Sequence, residues 1–482
     1  MSTSRNTAYN LAGSIVPMVL SLVTVPIYLR LVGPDRYGVL AIAWLLLGYF
    51  GLFDLGLGRA TSFRIAALRD APPQARADTF YAALLVNLAM GVIGGAILYF
   101  AAGYFFQHVF KVDEHLRPEM LAAVPFLAAS VPIATLTGVF TGAMQGRQRF
   151  LELNVVSVIS TALFQLLPLM IAWRLGPNLV WLLTGALFAR MCAAMILALR
   201  CHLEITRGQS LQLHRAEISA LLKYGGWVSL TSIFGPLLFV VDRFVIGAQL
   251  GASAVTTYTV PLQLAGRMQM FPSALTTALF PKLSAATIEE QDKLGRKATL
   301  TLSGLLTLPY LAAVFAISPF LHLWVGKDLS PDAGLVGRIF VITMWANSFA
   351  LIPFTKLQAT GRPDLVSKVM LVQVPPYFLC LYLGMSHFGL PGAAVALCLR
   401  SIADFGLLTW NARKRFDDMP VLAGNLAILV FGAYLAGLWQ ITEWRFWLSA
   451  ALLGAIAAGL GWFTLPTDVR GRLLSHPMGL LR

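Results

Sequence analysis

Apolar runs of about 20 residues or more recur along the whole 482-residue chain. A helix rises about 1.5 Å per residue, so about 20 apolar residues cross the roughly 30 Å hydrocarbon core of a bilayer. Such runs fall at 7–32, 39–58, 79–102, 119–144, 153–173 and 179–199. A second set falls at 221–249, 253–280, 298–319, 335–355, 366–387 and 390–411, and a last pair at 421–440 and 445–463. Continuous runs of this length read as helices, which satisfy their own backbone polar groups inside lipid. The expected fold is an all-α polytopic membrane protein with about 14 transmembrane helices. The shortest links are at 250–253 and 387–390.

Loop charges test that map. With the N-terminus inside, the inner segments hold 24 Lys and Arg and the outer segments eight, with the other four of 36 inside spans. Cytoplasmic loops carry the excess of Lys and Arg, so both termini are expected in the cytoplasm. The split also accounts for most of the net charge of +14, and no nucleic-acid partner is called for. Only 12% of residues are charged, against about 25% in soluble domains. The first run has no clear cleavage site and reads as a retained helix, not a signal peptide. Trp44, Trp173, Trp181, Trp324, Trp439, Trp444 and Trp447 fall near predicted span ends, as an interfacial belt would place them.

Soluble-type chemistry is absent from the pattern. Cys192, Cys201, Cys380 and Cys398 form no close-spaced motif and read as packing residues. The seven histidines lack ligand spacing, and no HExxH, P-loop or nucleophile motif occurs. No catalytic residue, metal or cofactor is expected, and the chain does not read as an enzyme. The loops are short, and the polar piece Ser284–Arg296 reads as a helical extension or amphipathic link.

The chain also repeats. The fourth span ends FTGAMQGRQRF (Phe140–Phe150) and the tenth ends FTKLQATGRPD (Phe354–Asp364), about 215 residues on, with a one-residue slip. Leu31–Gly33 aligns roughly with Gln249–Gly251, and Tyr37 with Tyr258 after a few residues of slip. The expected plan is a six-helix lobe at 1–200, a cytoplasmic linker at 201–220, a second six-helix lobe at 221–415, and a helix pair with tail at 416–482. An even number of helices inserts both lobes the same way up, with a cavity between them.

Charges inside spans mark the candidate site, since each costs about 2.5–3.5 kcal/mol on insertion scales. They are Asp54, Arg190, Asp242, Arg243, Arg267, Arg400 and Asp404. Asp242 and Arg243 lie in the stretch Tyr224–Leu250, downstream of Gly235 and Pro236, which would bend it. Being consecutive, they point apart on a helix, so each needs a partner or water elsewhere. Arg400 and Asp404 are four apart and can pair on one helix. Arg267 has no acid in its own span and reads either as a packed cation or as an anion ligand. Arg190 has both readings open, with packing the favoured one. Asp54 precedes Arg59 and Arg64 at the inner end of the second span, where cations would anchor the helix or attract an anionic headgroup. Prolines at 17, 26, 125, 132, 168, 236, 261, 272, 309, 353, 375 and 376 fall within or at the ends of spans and fit hinged helices.

The opening NLAGSIVPMVLSLVTVPIYLRLVGPDRYGVLAI, then YFGLFDLGLGRA, VVDRFVIGAQLG and LTTALFPKLSAA, resembles the bacterial polysaccharide (O-antigen, Wzx-type) flippases. These belong to the multidrug/oligosaccharidyl-lipid/polysaccharide exporter superfamily, and the resemblance covers the chain in order. It implies a V-shaped pair of six-helix lobes and an inner-to-outer-leaflet flippase for an undecaprenyl-diphosphate-linked glycan in the bacterial cytoplasmic membrane. It further implies a cationic cavity, matched by position to Arg267 and Arg59 or Arg64; Arg243 and Arg190, as cations inside spans, are the other candidates for substrate binding. Asp242 matches the recurrent acidic position, and Asp54, Asp242 and Asp404 stand as coupling or structural acids. Coupling to H+ or Na+ is what the superfamily implies, with a polysaccharide polymerase and chain-length regulator as pathway partners. The rival readings are a multidrug–cation antiporter and a lipid II flippase of the same fold. Four embedded Arg against three embedded Asp favour an anionic cargo.

Overall fold

The computed structural model describes residues 3–49, 57–68, 70–215, 217–219, 241–326, 329–412 and 418–475. The apolar runs fold as helices. In the first part of the chain these are α1 (Thr3–Tyr49), α2 (Leu57–Ala67), α3 (Pro73–Tyr104), α4 (Arg117–Gly146), α5 (Phe150–Leu175), α6 (Leu179–Cys201) and α7 (241–250). Then follow α8 (Ala252–Gly266), α9 (Met270–Ala285), α10 (Ile288–Val325), α11 (Ala333–Ala359), α12 (Pro363–Asn411), α13 (Met419–Leu438), α14 (Trp444–Thr464) and α15 (Thr467–Ser475). Among the described residues there is no strand, and nine helical segments are long and apolar enough to cross a membrane.

Two helices each carry two of the predicted spans. α1 has 47 residues and α12 has 49, about 70 Å each at 1.5 Å per residue. Each breaks at one glycine in the left-handed region, Gly33 (φ 78°) and Gly389 (φ 60°). The prolines inside α4, α5, α10 and α11 leave those helices continuous, whereas the sharp bends fall where a left-handed glycine stands next to or near a proline, at Gly33–Pro34 and at Gly389 before Pro391. The polar piece at 284–296 becomes the end of α9 and the start of α10. Thr287 caps α10 there, in a reciprocal exchange with Glu290.

The chain divides into two compact units, residues 1–256 and 257–482, with the division inside α8. In the first, α4 packs on α2, α3 and α6. Their core joins Phe80, Val139, Phe140, Met144 and Cys201. Gly142 lets α4 approach α2 so closely that an added Cβ would lie 2.0 Å from the Gly58 carbonyl oxygen. α5 turns Val155, Ile159, Leu166 and Met170 outward, as a lipid-facing helix does. Beyond α6 the linker straps back onto α2 and α3. Arg64 donates to Glu217 at 2.6 Å, Gln74 donates to the Ser210 carbonyl at 2.7 Å, and His214 lies 3.4 Å from Asp78.

In the second unit α11 packs on α9, α10, α12 and α13. Two-thirds (67%) of its most apolar stretch is buried, against 44% for α4. α13 and α14 supply extra cover by lying on α10. Asn425 donates to Ser303 at 2.7 Å, and Gly304 and Gly461 meet backbone to backbone. Arg296 pairs with Asp418 at 3.0 Å, and Lys297 pairs with Asp468.

The internal repeat is visible in backbone geometry. At the α4–α5 turn Arg147 N–H bonds Ala143 O, Gln148 N–H bonds Gln145 O, and Arg149 N–H bonds Met144 O. At the α11–α12 turn Thr360, Gly361 and Arg362 bond Lys356, Gln358 and Leu357 in the same order. The left-handed residue is Gln148 (φ 59°) in one copy and Gly361 (φ 71°) in the other. The register is therefore 213 residues, and the equivalent arginines are Arg149 and Arg362 rather than Arg147 and Arg362. Gly176 (φ 92°) and Gly389 recur at the same spacing.

Candidate functional site

Arg190 lies eleven residues from either end of α6, about 16 Å each way, which is the depth of a bilayer midplane. Three helices close around it. Ile133 and Thr137 share a face of α4, Ser160 and Phe164 share a face of α5, and Ala193 is one turn from Arg190, as i,i+3 and i,i+4 spacing requires. With Ala134 and Thr161 they line a niche of about 160 Å3. The guanidinium carbon sits 4.9 Å from the centre of the Phe164 ring. Arg190 Nε is buried and has no acceptor, and among the described residues Arg190 makes no hydrogen bond or ion pair. Phe164 also packs on Trp44, 6.1 Å between ring centres, which joins Tyr28 and Tyr37 in one aromatic cluster. Trp44 is half-buried in this cluster, and its indole N–H is a second buried donor without an acceptor. Tyr28 ties α1 to α5 by donating to the Gln165 carbonyl at 2.6 Å.

The energetics leave a gap. A charge at this depth costs about 2.5–3.5 kcal/mol, and a cation–π contact returns about 0.5–2 kcal/mol. The remainder falls to whatever fills the niche.

α12 carries the repeat counterpart of the ring but not of the arginine, since the 213-residue register sets Ala403 opposite Arg190 and Arg400 stands three residues, about one turn, before it. Tyr377 stands 213 residues after Phe164, and Gln373 stands 213 after Ser160. Arg400, in the second half of α12, lies over Tyr377 at 5.1 Å. Here an acid is present. Asp404 accepts a 2.7 Å hydrogen bond from Gln373 and lies within electrostatic reach of Arg400.

The other candidates take different places. Asp242 and Arg243 do face each other, contrary to the expectation for consecutive residues. Arg243 Nη1 donates to Asp242 Oδ1 at 2.9 Å, and the Arg243 backbone N–H donates to the same oxygen at 2.8 Å. The long guanidinium arm folds back over the turn, and the pair is buried. Arg64 is occupied by Glu217, whose other oxygen accepts from Thr79. Arg267 is exposed and opens a three-residue 3-10 turn between α8 and α9, a backbone break inside the eighth predicted span. Asp54, Gly235 and Pro236 lie outside the described residues, as does the side chain of Arg59. Two buried cations were assigned to loops by hydropathy: Arg338 donates to the Ala436 carbonyl at 2.7 Å, and Lys356 to Asp292 at 2.7 Å and the Ala412 carbonyl at 3.0 Å. Phe164, Ser160, Gln373 and Tyr377 escaped sequence reasoning, because the 213-residue register that pairs them comes from the matched turns.

The described residues thus form an all-helical chain with nine segments long and apolar enough to cross a membrane and an arginine at the middle of one of them. The chain matches the polysaccharide biosynthesis protein family over residues 3–287 and belongs to it. It is 26% identical over 411 residues to a Shigella flexneri protein named "Putative O-antigen transporter", covering 85% of this chain and 97% of that one. Its fold is similar to that of the lipid II flippase MurJ in an inward closed conformation, with a TM-score of 0.70 at 12% identity over 99% of this chain and 100% of that one. It is also similar to an inward-facing multidrug resistance MATE family transporter of the MOP superfamily, with a TM-score of 0.67 at 15% identity over 86% of this chain and 98% of that one.

Proposed function

We propose that the chain flips a polyprenyl-diphosphate-linked oligosaccharide from the inner to the outer leaflet of the bacterial cytoplasmic membrane, by alternating access, for cell-surface polysaccharide synthesis. The observation that carries this reading is the midspan guanidinium of Arg190, held in a polar niche that contains no acid. Transporters place substrate sites near the bilayer midplane, and a planar guanidinium suits a phosphate. The family membership and the relative named for O-antigen transport support the same cargo. In this reading two six-helix lobes, with α13 and α14 appended, expose the site alternately to each side. Both termini are cytoplasmic, and H+ or Na+ drives the cycle. The glycan passes on to a polymerase and chain-length regulator.

The test is translocation by the purified chain in liposomes. A fluorescent polyprenyl-diphosphate-linked sugar should become inaccessible to an external quencher at a rate that depends on the protein. Extrusion of ethidium by vesicles that fail to move the lipid would instead favour a multidrug–cation antiporter.

A further inference from the structure

We propose that the niche between α4, α5 and α6 binds a single phosphate group through Arg190 and Ser160, and that the cluster in which Arg400 lies on the repeat-equivalent ring does not. The source of the phosphate rests on the flippase reading above; the anion chemistry of the niche does not. Three observations on the niche converge. Arg190 makes no hydrogen bond or ion pair among the described residues, and its Nε is buried without an acceptor. The Ser160 hydroxyl, which lines the same cavity, makes no hydrogen bond among the described residues either. None of the eight residues lining the cavity is Asp or Glu.

The geometry selects the ligand. Phe164 holds the guanidinium at ring-contact distance. That contact uses the face of the cation and leaves its N–H edge for a planar, two-oxygen acceptor, the bidentate arrangement typical of phosphate. A niche of about 160 Å3 has room for one such group. Ser160 adds a neutral donor. Thr137 and Thr161 direct their hydroxyls to the Ile133 and Ser157 carbonyls at 2.6 and 2.8 Å, so they shape the niche rather than donate into it.

The second copy shows what the same scaffold does with its cation neutralised from within. Arg400 also lies over the ring at the equivalent position, but the equivalent of Ser160 is Gln373, and it is bonded to Asp404. An anion entering there would meet a carboxylate. Counted from each copy's own arginine, Arg400 meets Asp404 one helical turn on, while Arg190 meets Ala194.

Binding to the full-length purified protein tests this, with three probes: inorganic phosphate, undecaprenyl phosphate and uncharged undecaprenol. Wild type should bind the phosphate-bearing lipid and not the alcohol. Arg190→Gln should weaken that binding about tenfold to a hundredfold, the size of a lost charge-assisted hydrogen bond. Arg400→Gln should weaken it less than about threefold. Ala194→Asp keeps the arginine and supplies the acid of the other copy, so it should weaken binding as Arg190→Gln does. It also carries the test if Arg190→Gln fails to fold. Wild-type affinity in Arg190→Gln or Ala194→Asp, or equal losses in Arg190→Gln and Arg400→Gln, overturns the proposal. Binding of inorganic phosphate without binding or transport of the lipid keeps the niche and overturns the flippase reading. Lipid transport that survives Arg190→Gln does the reverse.

Discussion

Phe164 and Tyr377 occupy the same place in the two copies of the repeat, and each carries an arginine on its ring, at 4.9 and 5.1 Å. Around Tyr377, Gln373 and Asp404 answer the charge; around Phe164 a polar cavity takes their place. The α12 copy sets an acid within electrostatic reach of its arginine, whereas none of the residues lining the α4–α6 niche is Asp or Glu. The packing differs in the same sense. α13 and α14 give the second unit extra cover, and α11 is more deeply buried than its counterpart α4.

The largest expected effect is on transport. Arg190→Gln should lower the rate of lipid flipping in liposomes by about tenfold to a hundredfold, and Arg400→Gln by much less. Equal losses would erase the distinction between the copies. Next comes packing. Gly142→Ala should cost about 1–3 kcal/mol, because its Cβ would lie 2.0 Å from the Gly58 carbonyl oxygen. Its repeat counterpart Thr355 already carries a side chain, and Thr355→Ala should cost less than about 1 kcal/mol; thermal unfolding in detergent ranks the two. Lys356→Met should cost about 1–2 kcal/mol, read the same way. It removes bonds to Asp292 and the Ala412 carbonyl, at a position where the first unit has the buried core residue Ala143. Asp292 is 44% exposed, and solvent screening holds the loss to that range. The smallest pair lies at the matched turns. Gly361→Ala should destabilise by about 1 kcal/mol, and Gln148→Gly should stabilise by about 0.5 kcal/mol, since φ is 71° and 59° there. A Gln148→Gly change that destabilises would mean its side chain matters more than the strain.

Much of the fold was legible in the sequence because span length and loop charge are set by the bilayer, and a helix satisfies its backbone locally. The repeat was legible from Phe-Thr and Gly-Arg, but its register was not. One copy marks the left-handed position with Gly361 and the other with Gln148, so aligning glycines misplaces the arginines. Arg190 stood out as a charge in an apolar run, yet its partners Phe164, Ser160 and Thr137 come from two other helices, and local spacing does not connect them. The Asp242–Arg243 contact was missed for a different reason. Side-chain directions at the Cα exclude it, while the reach of an arginine permits it. Lys356 and Arg338 read as loop cations because hydropathy places them at span ends; only packing shows them capping carbonyls inside the second unit.

The most direct test is an experimental structure of the full chain bound to a polyprenyl-diphosphate-linked sugar in lipid. The account predicts a phosphate oxygen within about 3 Å of the Arg190 guanidinium, with Asp404 still bonded to Gln373. A phosphate seated on Arg400 or Arg267, with the Arg190 niche holding only water, would contradict it.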